Sequence, residues 1–126
     1  MSKLTLKLLE DSFSIHSLAP NSKIPEQVFS APIYFIAKTY DEISIVIPDT
    51  YEIASDEVES DWRALEVVGP LGFSLTGILS KISTVLANNE ISIFAISTFD
   101  TDYILVKNNM ISNAIEALRD SDYEII

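Results

Sequence analysis

Two short stretches of this chain hold residues whose types and spacing could bind a small charged molecule. The first is Gly69-Pro-Leu-Gly-Phe-Ser-Leu-Thr-Gly77, a glycine-bearing turn between an apolar run and a helical pattern. Backbone N–H groups exposed at a helix start attract an anion such as a carboxylate. The second is Ser97-Thr-Phe-Asp-Thr-Asp-Tyr103, a polar segment between two apolar runs. Its oxygens would accept from an ammonium or guanidinium. Donors for a carboxylate and acceptors for an ammonium are the pairing that a free amino acid requires.

Each feature has a plainer reading. Gly69 and Gly72 could serve only to give the turn a positive φ, and Gly77, expected inside the helix, could serve close packing. Asp100 and Asp102 could be turn formers. Two carboxylates two residues apart on an extended strand share a face, however, and repel unless a cation lies between them. A phosphate loop is excluded by residue type, because Ile78 stands where Gly72 and Gly77 would require a lysine. Calcium is poorly supported, since the segment lacks the spaced oxygen ligands of a known loop. His16 has no serine, cysteine or second histidine arranged for catalysis and reads as an ordinary strand residue. Trp62 reads as packing at a domain edge, and Phe13 and Phe73 as core.

Composition narrows the function classes. Nineteen acidic against eight basic residues give a formal charge of −11, which repels nucleic-acid phosphates and anionic membrane surfaces. With no cysteine, thiolate catalysis and sulfur-ligated zinc are excluded. No cofactor or metal pattern is present. The N-terminus lacks the apolar core of a secretion signal, and no run approaches the ~20 apolar residues of a spanning helix. A soluble cytoplasmic protein is the expectation. Residues 49–61 carry six acidic and no basic side chains and are expected to be a solvated connection.

The elements that must position the two stretches emerge from a repeat. A shift of sixty residues lays Phe13-Ser14-Ile15 on Phe73-Ser74-Leu75. With one gap, Thr39-Tyr40-Asp41 falls on Thr98-Phe99-Asp100, and Ile43-Ser-Ile-Val46 on Tyr103-Ile-Leu-Val106. The expected domains are residues 1–60, an N-terminal copy, and 61–126, a C-terminal one. The C-terminal copy reads strand (65–68), helix (74–86), strand (91–96), strand (103–106), helix marked by Ile111, Ala114, Ile115 and Leu118, and strand (123–126). Ser74 is its expected N-cap, and Asn88-Asn89 the helix stop. The N-terminal copy is degenerate, because Pro20 and Pro25 interrupt its first helix. Residues 4–9 and 13–18 are expected to form a hairpin, followed by only a short helix near 26–29.

This α+β pattern, a tandem of ferredoxin-like βαββαβ units with antiparallel sheets and helices on one face, resembles the ACT domain, a regulatory amino-acid-binding fold. Gly69-Pro-Leu-Gly-Phe-Ser-Leu-Thr-Gly-Ile-Leu79 and Ile91-Ser-Ile-Phe-Ala-Ile-Ser-Thr-Phe-Asp-Thr-Asp-Tyr-Ile-Leu-Val106 are similar to small bacterial tandem-ACT proteins and to the ACT repeats of animal cytosolic arginine sensors. The resemblance is strong over 62–126 and weaker before it, where Tyr40-Asp-Glu-Ile-Ser-Ile-Val46 carries most of it. In that family an effector sits between two ACT units. The resemblance therefore implies Gly69, Pro70, Leu71, Gly72, Phe73 and Thr76 on the turn side of a ligand site, with Ser97, Thr98, Phe99, Asp100 and Asp102 on the hairpin side. The N-terminal copy has Leu9-Glu-Asp-Ser12 in place of the glycine turn and is expected to offer no equivalent cradle.

The implied function is a non-catalytic sensor of a small molecule, most simply a free amino acid. A homodimer is expected from the exposed strand edges, and a separate protein as the regulated target. The alternative is an interaction module that dimerises through its sheets without a ligand. An enzyme is the least supported class, since no nucleophile, metal or cofactor pattern is present.

Overall fold

The structure is a computed structural model that describes residues 4–68 and 77–126. It divides into two compact units: Met1–Glu10 with Arg63–Ile126, and Asp11–Trp62. Their strands are β1 (Thr5–Leu18), β2 (Phe35–Lys38), β3 (Ile43–Pro48), β4 (Glu57–Val68), β5 (Ile93–Ser97), β6 (Asp102–Lys107) and β7 (Glu124–Ile125). The helices are α1 (Ile78–Asn88) and α2 (Ile111–Asp120). The fold is α+β and ferredoxin-like.

The unit that contains residues 63–126 is built as periodicity dictates. Along α1 the apolar positions recur at helical spacing, and Ile82 and Leu86 are wholly buried. In α2 the inward residues are Ile111, Ala114 and Leu118. These side chains pack on Leu65, Val67, Ile104 and Val106 from alternate positions of β4 and β6. Hairpin β5–β6 is antiparallel, from Ile93↔Val106 to Ser97↔Asp102. The strand order in this unit is β1-β4-β6-β5.

The first residues of the chain join this core. Leu6 is wholly buried in it, and Thr5↔Glu124 and Leu6↔Ile125 pair β1 with β7 in parallel. The Ile126 amide donates to the Leu6 carbonyl at 2.9 Å, and the Leu8 amide to the Ile126 carbonyl at 2.9 Å.

Helix α1 starts later than its apolar pattern implied. Ser74 lies outside the described residues; Gly77 is the N-cap, at φ +76, and its carbonyl accepts from the Lys81 amide at 2.9 Å. A Cβ at Gly77 would meet nothing within 4 Å among the described residues. Close packing inside the helix is thus not the reason for this glycine; the left-handed backbone is. Gly77→Ala is expected to lower stability by about 1–2 kcal/mol, the cost of a left-handed non-glycine residue, as a shift in urea midpoint. A helix-interior glycine would give the opposite sign, because alanine there stabilises. The helix stops as expected: Asn89 caps it and its side-chain amide donates to the Val85 carbonyl at 2.8 Å.

In the unit of residues 11–62 the order is β2-β3-β1-β4. Hairpin β2–β3 pairs Phe35↔Val46 to Lys38↔Ile43, and β1 lies antiparallel on β3 from Phe13↔Pro48 to Leu18↔Ile43. A 3-10 helix, Glu26–Ser30, stands where the prolines interrupt the helical pattern. Leu18, Val28, Ala31, Ile43, Ile45 and Ile47 form the core.

Two expectations require correction. The expected strands 4–9 and 13–18 do not form a hairpin: Thr5–Leu18 is one 14-residue strand. The polar run Glu10-Asp11-Ser12 stays extended because its backbone finds a partner: the Asp49 amide donates to the Ser12 carbonyl at 2.8 Å. The acidic stretch 49–61 is also not wholly a connection. Residues 57–61 form the exposed start of β4, and Asp61, at φ 67, breaks its pleat. Trp62 follows within that strand, only 9% exposed, rather than at its entry.

Candidate functional site

The hairpin side of the site is a turn built by its own threonines. Within Thr98-Phe99-Asp100-Thr101, the Thr98 amide donates to the Thr101 carbonyl at 2.8 Å, and the Thr98 hydroxyl accepts from the Thr101 amide at 3.2 Å. The other hairpin repeats this chemistry. In Thr39-Tyr40-Asp41-Glu42 the Thr39 amide donates to the Glu42 carbonyl at 2.9 Å, and the Thr39 hydroxyl accepts from the Asp41 and Glu42 amides at 3.1 Å. Both turns hold an aromatic ring in solvent: Tyr40 is fully exposed and Phe99 is 84% exposed.

The threonine turn fixes where the carboxylates lie. Asp100 is exposed in the turn, and Asp102 opens β6, paired with Ser97. The two are therefore not successive same-face residues of one extended strand, and the repulsion argument for them lapses. Asp102 instead has a protein partner: its Oδ1 accepts from the Ser97 hydroxyl at 2.6 Å. That contact holds the carboxylate in one orientation at the hairpin end.

Sequence reasoning passed over three residues at this end. The Thr101 hydroxyl donates to the Val67 carbonyl, which fastens the turn to the last residues of β4. The Gly69–Thr76 stretch leaves from that same strand end. Alternation along β4 places Glu66 on the face opposite Leu65 and Val67, the face that Tyr103 shares on β6. Burial holds the Tyr103 hydroxyl above its ordinary pKa, and the charges of Glu66 and Asp100 add to the effect. The charges of Glu66 and Asp100 thus both act on the Tyr103 hydroxyl at this end of the hairpin. A lone glutamate inside the apolar run Leu65-Glu-Val-Val68 was the available signal for Glu66.

Of the residues expected in the site, Ser97, Thr98, Phe99, Asp100 and Asp102 are brought together at this hairpin end. Gly69, Pro70, Leu71, Gly72, Phe73 and Thr76 lie outside the described residues. Among the described residues, none of those expected in the site lines the open hollow of about 490 Å³ on α2, which is formed by Ser112, Ile115, Glu116, Arg119 and Asp120. His16 is only 6% exposed on β1, with Nδ1 2.8 Å from the Ser55 hydroxyl. Among the described residues, no helix is long and apolar enough to cross a membrane.

Comparison with known proteins places this architecture. The human protein named cytosolic arginine sensor for mTORC1 subunit 1 is 42% identical over 59 residues, covering 46% of this chain and 18% of the human one. Its mouse counterpart is 35% identical over 101 residues, covering 79% and 30%. The chain therefore spans less than a third of these relatives' length. Among solved structures, protein Atu0741 of Agrobacterium tumefaciens superposes with a TM-score of 0.90 at 31% identity, covering 100% of this chain and 94% of that one. The aspartate kinase of Clostridium acetobutylicum, described as an allosteric enzyme, shares the fold alone: TM-score 0.68 at 16% identity, covering 90% of this chain and 33% of the kinase. The ACT domain family profile matches residues 57–120, which include β4, α1, the β5–β6 hairpin and α2. With that match spanning half of its length, this chain belongs to the ACT domain family.

Proposed function

We propose that this protein is a non-catalytic regulatory module that binds a free amino acid between two ACT units and passes its occupancy to a protein partner. The observation that carries the reading is the Thr101 hydroxyl on the Val67 carbonyl. It fastens the hairpin turn to the last residues of β4, which Gly69 follows in sequence. In this reading the backbone N–H groups of Gly69, Pro70's neighbours and Phe73 hold the ligand carboxylate, and Thr76 lies at the same helix approach. Leu71 and Phe99 shape the pocket, Asp100 or Asp102 takes the ammonium or a basic side chain, and Ser97 and Thr98 orient that side.

The reading is supported by the family, by the arginine sensors that relatives are named for, and by the regulatory setting of the aspartate kinase neighbour. A ligand held between units favours the assembly that brings them together, so occupancy shifts a homodimer or a partner equilibrium by its differential affinity. The site of action is the cytoplasm, in keeping with the relatives' name. The second reading, an interaction module without a ligand, draws on the exposed Phe99 and Tyr40 rings.

Thermal unfolding against each of the twenty amino acids at millimolar concentration separates the two readings. A native-state ligand at a hundred times its Kd adds about 2.7 kcal/mol of stability by mass action. A rise of several degrees with one or a few amino acids is the expected result. A flat panel would leave the interaction module as the better reading.

A further inference from the structure

In the unit of residues 11–62 the place of a second helix is taken by an irregular segment, residues 49–56, between β3 and β4. Tyr51 and Ile53 of this segment pack against the core of the unit, and backbone hydrogen bonds tie its ends to β1. The Asp49 amide donates to the Ser12 carbonyl at 2.8 Å and the Asp56 amide to the Ser17 carbonyl at 3.0 Å. Between them, the Ser55 hydroxyl lies 2.8 Å from His16 Nδ1 on β1.

His16 is the only histidine in the chain, and its ring faces the core of the unit. It shares its face with Leu18, lies opposite Ile45, and is 6% exposed. Nε2 is buried and has no hydrogen-bond partner among the described residues. A neutral ring tolerates this, with Nδ1 either accepting from Ser55 or donating to it. An imidazolium does not: both nitrogens then donate, and the proton at Nε2 is buried from solvent with no acceptor among the described residues.

Among the described residues, burial acts on the ring and no charged side chain opposes it. Glu42 accepts from the Ser17 and Ser44 hydroxyls, which alternation puts on the opposite face. Glu26 on the 3-10 helix, Asp49, Glu52 and Asp56 on the segment, and Glu57, Glu59 and Asp61 on β4 are all exposed. We propose that His16 is an acid-sensitive latch, which holds residues 49–56 on the sheet while its ring is neutral and releases them when the ring takes a proton. The partner chemistry needed is the proton alone.

Burial lowers the ring's pKa from its ordinary 6.5. With the folded value below the unfolded one, the stabilisation is fully present above pH 6.5. It is lost as the pH falls below 6.5 towards the folded value, and the released population grows up to about tenfold per pH unit in that window. The inference rests on this unit alone and stands or falls separately from the amino-acid reading.

Hydrogen exchange of the peptide spanning 49–57, corrected for intrinsic rates, measures the release at pH 7.5 and 5.0. The parent protein is expected to lose protection there at the lower pH, while peptides of α2 change little. His16→Asn, which keeps a polar group near the Nδ1 position and cannot titrate, is expected to show no such pH step. An unchanged parent segment, or the same step in His16→Asn, would overturn the latch. Should that variant not fold, the ring's own NMR titration decides: a midpoint below 6.5 that tracks the 49–57 exchange supports the latch, and a midpoint at or above 6.5 refutes it.

Discussion

Replacing Leu6 by alanine is expected to destabilise the protein by about 2–5 kcal/mol, the range for removing a fully buried leucine with incomplete collapse of the site. Position in the chain gives no hint of this, since the first residues of most domains are poorly ordered unless tied down. Leu6 is tied down twice. Its side chain is wholly buried beside Leu65, Val67 and Ile125, and its carbonyl accepts the Ile126 amide at 2.9 Å. Leu8, half-buried at the edge of the same cluster, loses less contact on truncation and should cost less than half as much. Urea unfolding of the two variants measures both values. A second consequence concerns chain length: a fragment that begins near residue 61 lacks the partner strand of β7 and should unfold more readily than the full chain. If Leu6→Ala unfolded like the parent, or if such a fragment were as stable as the whole, residues 4–10 would not belong to this core.

Leu6 also shows where the sequence was legible and where it was not. Period 3.6 located α1 and α2, and apolar runs flanking polar turns located β5 and β6, because each of those signals is local. The aligned Thr-aromatic-Asp triplets at Thr39 and Thr98 proved to be hydrogen-bonded turns of one kind, since a threonine hydroxyl can satisfy the turn's own amides. Pairing was not legible. Nothing in Leu4-Thr-Leu-Lys-Leu-Leu9 says that its partner is the last strand, which lies more than a hundred residues away. The run Glu10-Asp11-Ser12 has turn composition, yet a distant amide donor holds it extended. Gly77 was misread for a different reason: an apolar stripe continues past a helix start, so periodicity alone cannot find the cap. At the site, residue type suggested acceptors at Asp100 and Asp102, while Thr101, which positions them, and Glu66, whose charge acts on the Tyr103 hydroxyl, became visible only when strand neighbours were known.

Asp102→Ala is expected to weaken binding of whichever amino acid raises the melting temperature by roughly 10- to 150-fold, the loss of one charged hydrogen bond of about 1.5–3 kcal/mol. The geometry makes Asp102 a better anchor than Asp100. Its carboxylate is held by the Ser97 hydroxyl at 2.6 Å and sits on a paired strand position, so little orientation entropy remains to be lost on binding. Asp100 is exposed in the turn, where its charge is screened and its side chain free to reorient. Three variants separate charge from orientation in a calorimetric titration. Asp102→Asn keeps an acceptor for Ser97 and removes the charge, so it should lose nearly as much as alanine. Ser97→Ala keeps the charge and removes its support, so it should lose only a few-fold. Asp100→Ala should fall between that and no effect. If Asp102→Ala bound as the parent does while Glu66→Gln did not, the ammonium would lie on the Tyr103 face of the sheet, and the anchor would have to be reassigned across the strand.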